Sequence, residues 1–270
     1  MLPTLAVSSL RPAGSRALTE RSLSATPLAG LPEIGVHADL GLLIANAAAG
    51  TDLDGAVVVI SHKVVSKAEG AVVALSGVTP GAEALRLGAE QNRDARQVQV
   101  ILDQSQQILR AEHGVLICVT HHGFVCANAG VDASNTAQTD SLVVLPTDPD
   151  ASARLIRARL RELTGSSPAV VIADSFGRAW RFAQVDVAIG CAGLEPVDDW
   201  AGRSDRAGRE LSATAIAVAD SAAAAADLVR AKDSGEPVVV IHGLQRFVTQ
   251  ADGPGASSLL RPADQDLFRR

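Results

Sequence analysis

Residues 169–181 read AVVIADSFGRAWR, and this stretch decides the expected fold. The apolar, β-branched run at 169–172 predicts a buried strand, and the polar residues Asp174 and Ser175 follow the end of that run. Similar runs recur along the chain, at residues 56–60, 71–75, 115–119, 142–145 and 238–241. The sequence therefore predicts a fold built on several buried strands.

Helical patterns lie between the predicted strands, at residues 39–49, 94–112, 148–164 and 210–231. The third begins with Asp148-Pro149-Asp150, a helix cap followed by an acid near the positive end of the helix. Residues 174–209 contain five glycines and predict a long irregular segment between two regular halves. Because strands and helices alternate unevenly, the sequence predicts a mixed α and β fold of the α+β class.

The composition excludes several classes of function. The chain has 270 residues with 24 basic and 30 acidic side chains, and a net charge of −6 argues against a nucleic-acid partner. Hydrophobic residues make up 47%, too many for a disordered chain, and aromatic residues 3%, too few for a platform that stacks bases. No run approaches the roughly 18 apolar residues of a membrane span, so no membrane partner is expected.

The N-terminal residues and the cysteines indicate a cytoplasmic protein. In residues 1–22 the basic side chains follow the apolar run at 2–7, which is the reverse of the order in a signal peptide. We interpret residues 1–22 as a mobile N-terminal extension and residues 23–270 as the folded unit. The three cysteines have neither the spacing of a disulfide framework nor that of a zinc site.

The first polar stretch is SHKVVSKAEG at residues 61–70, directly after a predicted strand. Lys63 and Lys67 are four residues apart and therefore share one face of a helical turn, where they could meet phosphate. A pair of surface lysines is the alternative interpretation.

The second polar stretch is HHGFVCANAGVDASN at residues 121–135. Asp132 and Asn135 offer oxygen ligands from one loop, and magnesium prefers carboxylate and carbonyl oxygens. The alternative is a turn that the two side chains close by hydrogen bonds to the backbone.

The third polar stretch follows the strand at 169–172. An acid at the end of such a strand resembles the metal-holding aspartate of phosphoryl-transfer sites, which makes Asp174 a candidate metal ligand. Arg178 and Arg181 could clamp a phosphate or a carboxylate. Asp174 could instead cap a following turn. The chain contains neither a P-loop nor a Rossmann glycine motif.

The order of these stretches resembles the coenzyme F-420-0:L-glutamate ligase family, whose members build the γ-glutamyl tail of a deazaflavin coenzyme. The resemblance spans residues 24–270 and rests on the segments 30–34, 64–70, 123–135, 174–181, 202, 205, 208–211, 259–262 and 266–268. It implies an enzyme whose partners are GTP, L-glutamate and the deazaflavin precursor. It also implies a two-part fold of two closely packed subdomains, assembled as a homodimer with the site near the interface.

The resemblance further assigns roles to individual residues. It implies Mg²⁺ or Mn²⁺ held by Asp132, Asp174 and Ser175, and it leaves open a monovalent cation as a further cofactor. Arg178 and Arg181 would add fixed positive charge to catalysis. Contacts to GTP would come from the loop 230–237 and from Leu31, Pro32, Glu33, Ile34, His62, Lys67, Asn135, Lys232 and Gly235.

Three positions depart from the family pattern. His62 stands where relatives often have serine, His121 where they often have arginine, and Lys232 in a loop position that is acidic in some relatives. The lysine weakens the expectation of a metal ligand from that loop.

The implied mechanism is activation of a carboxylate by phosphoryl transfer, in which an acyl phosphate is formed and is then attacked by the amino group of glutamate. Two alternatives stay open. One is a different metal- and nucleotide-dependent ligase on the same scaffold, and the other is a non-catalytic deazaflavin-binding protein.

Overall fold

The computed structural model describes residues 22–133 and 140–268. The mobile extension predicted for residues 1–22 lies outside this range except for Ser22. The strands are β1 (Ser24–Pro27), β2 (Val57–Ser61), β3 (Val72–Ala74), β4 (Ser105–Glu112), β5 (Val115–Thr120), β6 (Val125–Ala127), β7 (Ser141–Val143), β8 (Ala169–Arg178), β9 (Arg181–Ala192), β10 (Val197–Asp199), β11 (Ala215–Ala217) and β12 (Val238–His242). The helices are α1 (Leu40–Ala47), α2 (His62–Ala68), α3 (Ala82–Gln91), α4 (Ala95–Asp103), α5 (Pro149–Thr164) and α6 (Val218–Val229).

The main sheet has five strands in the order β1-β12-β2-β8-β9. The central pair β2 and β8 is parallel, and the other neighbours are antiparallel. Three smaller sheets pair β4-β5-β6, β3-β7 and β10-β11. The structure confirms the predicted mixed α and β fold.

The main sheet is covered on both faces, which explains why its central strands are apolar throughout. Val58, Ile60 and Val170 point to the side where α1, α2 and α5 pack. Val57 and Val59 point to the opposite side, where α6 packs through its alanines. The sheet is therefore the middle of three layers, with helices packed on both of its faces.

The start of α5 is fixed by its cap and by a close contact with β9. Asp148 accepts a hydrogen bond from Ala151 N at 2.8 Å, and Pro149 occupies the first turn. A Cβ at Gly190 of β9 would lie 2.4 Å from the carbonyl carbon of Pro149. Only glycine permits this approach of helix and strand.

The helix predicted at residues 94–112 is wrong in its second half. α4 ends at Asp103, and residues 105–112 form β4, which pairs with β5. The two strands are joined by His113 and Gly114, both with positive φ (52° and 77°), as in the two-residue turns that suit hairpins. Strand pairing outweighs the helical periodicity here.

Two further predictions need correction. The helix predicted at 210–231 begins only at Val218, because residues 215–217 pair with β10 as β11. The segment 174–209 is largely regular, since β8 and β9 continue through it as a long hairpin. Within residues 22–133 and 140–268, no helix has the length and apolar character needed to cross a bilayer.

Candidate active site

A cavity of about 720 Å³ opens at the carboxyl end of the parallel strands β2 and β8. Ser61 and Ala173 are paired at this edge, and both line the cavity. Because the carboxyl ends of parallel strands meet at one edge of a sheet, this edge is a frequent place for ligands. The chain thus builds a concave site from the stretches that follow two buried strands.

Ten of the residues predicted to form the site line this cavity. They come from the loop before α1, from α2, from the loop after β6, from β8 and from the loop before β12, and they are Leu31, Pro32, Glu33, Ile34, Lys67, Asp132, Asp174, Ser175, Lys232 and Gly235. Segments far apart in the sequence are therefore brought to one place.

His62 lies behind the cavity rather than on its surface. It is buried at the start of α2, with Nδ1 3.3 Å from Ser66 Oγ. Its Nε2 lies 3.2 Å from Asp174 Oδ1, within the distance of an ion pair but without the alignment of a hydrogen bond. His62 therefore contacts Asp174 from the buried side of the cavity wall. Asn135, another GTP contact implied by the resemblance, falls outside the described residues.

Arg178 and Arg181 lie at the exposed tip of the β8–β9 hairpin. Arg178 Nη2 donates a hydrogen bond to the carbonyl oxygen of Phe182 at 2.9 Å. Neither arginine is among the described residues that line the cavity of this chain.

The two lysines of α2 are held by acids from other segments. Lys67 Nζ lies 2.5 Å from Glu33 Oε1, and Lys63 Nζ lies 2.7 Å from Asp132 Oδ2. Both lysines line the cavity, so they are not simply a surface pair. Asp174 lies inside β8 and not before a turn, which removes the alternative that it only caps one.

Asp186 of β9 is a site residue that the sequence reasoning missed. It is 1% exposed, accepts a hydrogen bond from Ser175 Oγ at 2.6 Å and forms an ion pair with Arg230. Burial raises the pKa of Asp186, while the hydrogen bond from Ser175 and the charge of Arg230 act in the opposite direction. An acid between Val185 and Val187 in an alternating strand was the available signal.

Two carboxylates of the cavity are of the kind that binds a divalent cation. Asp132 and Asp174 both present carboxylates to the cavity. Within the described part of the chain, no group of three or more histidine, cysteine, aspartate or glutamate side chains is arranged to hold a metal ion. A pair of carboxylates suits Mg²⁺, which usually takes one or two from the protein and its other ligands from water and phosphates.

Comparison with known proteins finds relatives over most of the chain. The family model described as F420-0:Gamma-glutamyl ligase matches residues 29–243. The chain belongs to this family. It is 44% identical over 245 residues to the coenzyme F420:L-glutamate ligase of Methanothermobacter thermautotrophicus, covering 89% of this chain and 96% of the relative.

Further members of the γ-glutamyl ligase family give the same result. The coenzyme F420:L-glutamate ligase of Methanopyrus kandleri is 43% identical over 86% of this chain and 91% of its own length. That of Methanocaldococcus jannaschii is 41% identical over 80% of this chain and 85% of its own length. The family match includes every segment that lines the cavity, from Leu31 to Pro237.

Proposed function

We propose that the chain is a GTP-dependent ligase that joins L-glutamate to the deazaflavin precursor F-420-0. Relatives at 41–44% identity are named coenzyme F420:L-glutamate ligase. The observation that carries the proposal is the convergence of two lysines and two carboxylates on one cavity, namely Lys63, Lys67, Asp132 and Asp174. These are the charges that a polyphosphate and its cation require.

The proposed reaction consists of two transfers. A carboxylate oxygen of the precursor attacks the γ-phosphorus of GTP, the bond to the β,γ-bridging oxygen breaks, and GDP leaves with the electron pair. The amino nitrogen of glutamate then attacks the acyl carbon, phosphate leaves, and a proton is released as the amide forms. Such transfers need positioning and charge stabilisation more than a protein nucleophile. The three buried, free cysteines agree with that requirement.

The residues of the chain divide these tasks. Lys63 and Lys67 would bind phosphate oxygens as point charges. A Mg²⁺ or Mn²⁺ ion held by Asp132 and Asp174 would offset the charge that develops during transfer. His62, which contacts Asp174 from the buried side, would limit the orientations open to its carboxylate.

A glutamate-addition assay tests the function. Purified protein is supplied with F-420-0, GTP, Mn²⁺ and L-glutamate, and mass spectrometry follows the addition of a glutamyl residue while chromatography follows GDP. Asp174→Asn should remove turnover, whereas Asp54→Asn, the same change at an exposed acid that does not line the cavity, should retain it. Full turnover in Asp174→Asn would contradict the metal assignment, and GDP release only with another acceptor would indicate a different ligase.

We also propose a homodimer that involves the tip of the β8–β9 hairpin. Trp180 and Phe182 at this tip are 82% and 99% exposed, and large exposed apolar side chains commonly mark interfaces. In a dimer, Arg178 and Arg181 of the same tip would be able to contact the second copy of the chain. Light scattering should show a dimer that the double variant Trp180→Ser, Phe182→Ser converts to monomer. The matched change Leu228→Ser, at an exposed position of α6, should leave the mass unchanged.

A further inference from the structure

The side-chain ammonium of Lys232 lies among three oxygen atoms at the wall of the cavity. Its Nζ is 2.7 Å from Ser175 Oγ, 3.3 Å from Asp227 Oδ1 and 3.9 Å from Asp186 Oδ1. A hydroxyl and two carboxylates around one positive charge are also the ligands that a hard metal cation would take. The ammonium of Lys232 therefore occupies the place in this oxygen cluster that a metal cation could take.

The loop that carries Lys232 is anchored, although the lysine side chain itself is 69% exposed. Arg230, at the start of the loop, pairs with the buried Asp186 and donates to the carbonyl oxygen of Pro237 at 3.3 Å. The buried contact thus anchors the start of the loop, and Ser175 and Asp227 hold the ammonium itself.

The charges and the hydrogen bonds of the cluster are balanced only when the lysine is present. Two carboxylates, Asp186 and Asp227, face two cations, Arg230 and Lys232. Ser175 Oγ donates its proton to Asp186 and accepts from Lys232, so its donor and one acceptor position are used. Removal of the ammonium would leave a surplus negative charge and an oxygen lone pair open to a cation.

We propose that the ammonium of Lys232 takes the place of a metal ion in this oxygen cluster. It thereby excludes a divalent metal ion from Ser175, Asp186 and Asp227, and it presents its charge to the bound phosphates. The inference rests on the proposed function in so far as the cavity binds a nucleotide. Ser175 then accepts a hydrogen bond from Lys232 and does not bind a metal ion. Among the described residues, Asp132 and Asp174 then remain as the carboxylate ligands of the divalent ion.

Counting bound Mn²⁺ ions tests this assignment without any turnover. The number of ions per chain is measured by electron paramagnetic resonance of free Mn²⁺, with a non-hydrolysable GTP analogue present. Lys232→Glu should bind one more Mn²⁺ per chain than the unchanged protein, because a carboxylate joins the three oxygens. Lys232→Gln should also gain an ion, with weaker affinity, and Lys232→Arg should gain none.

The matched control is Arg161→Glu, which makes the same change of charge at an exposed position of α5 outside the cavity and leaves Lys232 on Ser175. It should bind no additional ion. The proposal is overturned if the unchanged protein and Lys232→Glu bind equal numbers of Mn²⁺, or if Arg161→Glu gains an ion as well. Circular dichroism shows that each variant is folded. Failure of glutamate addition would contradict the proposed function and would leave the ion count as a separate result.

Discussion

Replacement of Arg157 by methionine tests what holds the C-terminal segment against the main sheet. Arg157 lies in α5 and is 0% exposed. Its guanidinium donates to the carbonyl oxygens of Pro168 at 2.9 Å, Thr249 at 2.5 Å and Gln250 at 3.3 Å, and to Asp252 Oδ1 at 2.6 Å. Methionine follows the aliphatic stem of arginine but ends short of the guanidinium and has no donor, so the change removes these hydrogen bonds while it keeps the packing of the stem.

The expected cost follows from the groups that lose their partner. A buried carbonyl without a hydrogen bond costs about 1–3 kcal/mol, and the short bonds to Pro168 and Thr249 make two such groups. Asp252 is 46% exposed, so water can replace the guanidinium there, and the loss of this ion pair adds little to the cost in stability. We expect the free energy of unfolding to fall by about 4 kcal/mol, a large share of the roughly 5–15 kcal/mol of a typical domain.

Urea unfolding followed by circular dichroism measures this loss as a lower midpoint at an unchanged slope. Tryptophan fluorescence should give the same transition if unfolding is two-state. Arg161→Met, at an exposed position of the same helix, is the matched control and should change the free energy of unfolding by less than about 0.5 kcal/mol. Equal midpoints for Arg157→Met and Arg161→Met would refute the reasoning.

Three further predictions concern buried positions. His62→Asn should weaken Mn²⁺ binding about 10–100-fold in calorimetry, because the imidazole supports Asp174; unchanged affinity would remove that role. Gly190→Ala should lower the melting temperature, since its Cβ would lie 2.4 Å from the carbonyl carbon of Pro149, and an unaltered melting curve would contradict the packing. Burial raises the pKa of Cys126 to about 12, so at neutral pH the folded protein should keep this thiol protonated and unreactive to a disulfide reagent until denaturant is added.

The three inner strands of the main sheet, β12, β2 and β8, were predictable because burial on both faces leaves an uninterrupted apolar run. The six predicted runs correspond to β2, β3, β5, β7, β8 and β12. The strand β1, with the sequence SATP, has no such run and exists through its pairing with β12. The error at 94–112 has the same origin, since β4 has only half-buried and exposed positions and is fixed by its partner β5.

The site was predictable where polar residues directly follow a buried strand. Asp174 and Ser175 follow the apolar run at 169–172, Lys67 lies in the helix after β2, and all three line the cavity. Asp186 was missed because it lies within a strand, and its role comes from the cross-strand register that places it opposite Ser175. The contact of Lys232 with Ser175 joins residues 57 positions apart, which no local pattern encodes.

The charges of the cavity indicate how a nucleotide and a metal ion would enter it. Among the described lining residues, acids outnumber bases, with Glu33, Asp132, Asp174, Asp186, Asp233 and Glu236 against Lys63, Lys67, Arg230 and Lys232. A polyphosphate alone would meet this excess of like charge, and it would also have to separate Lys63 from Asp132. If a cation enters with the phosphates, Lys63 can turn to phosphate while Asp132 turns to the cation, and each broken ion pair is replaced. Nucleotide and divalent ion should therefore bind together, each raising the affinity for the other.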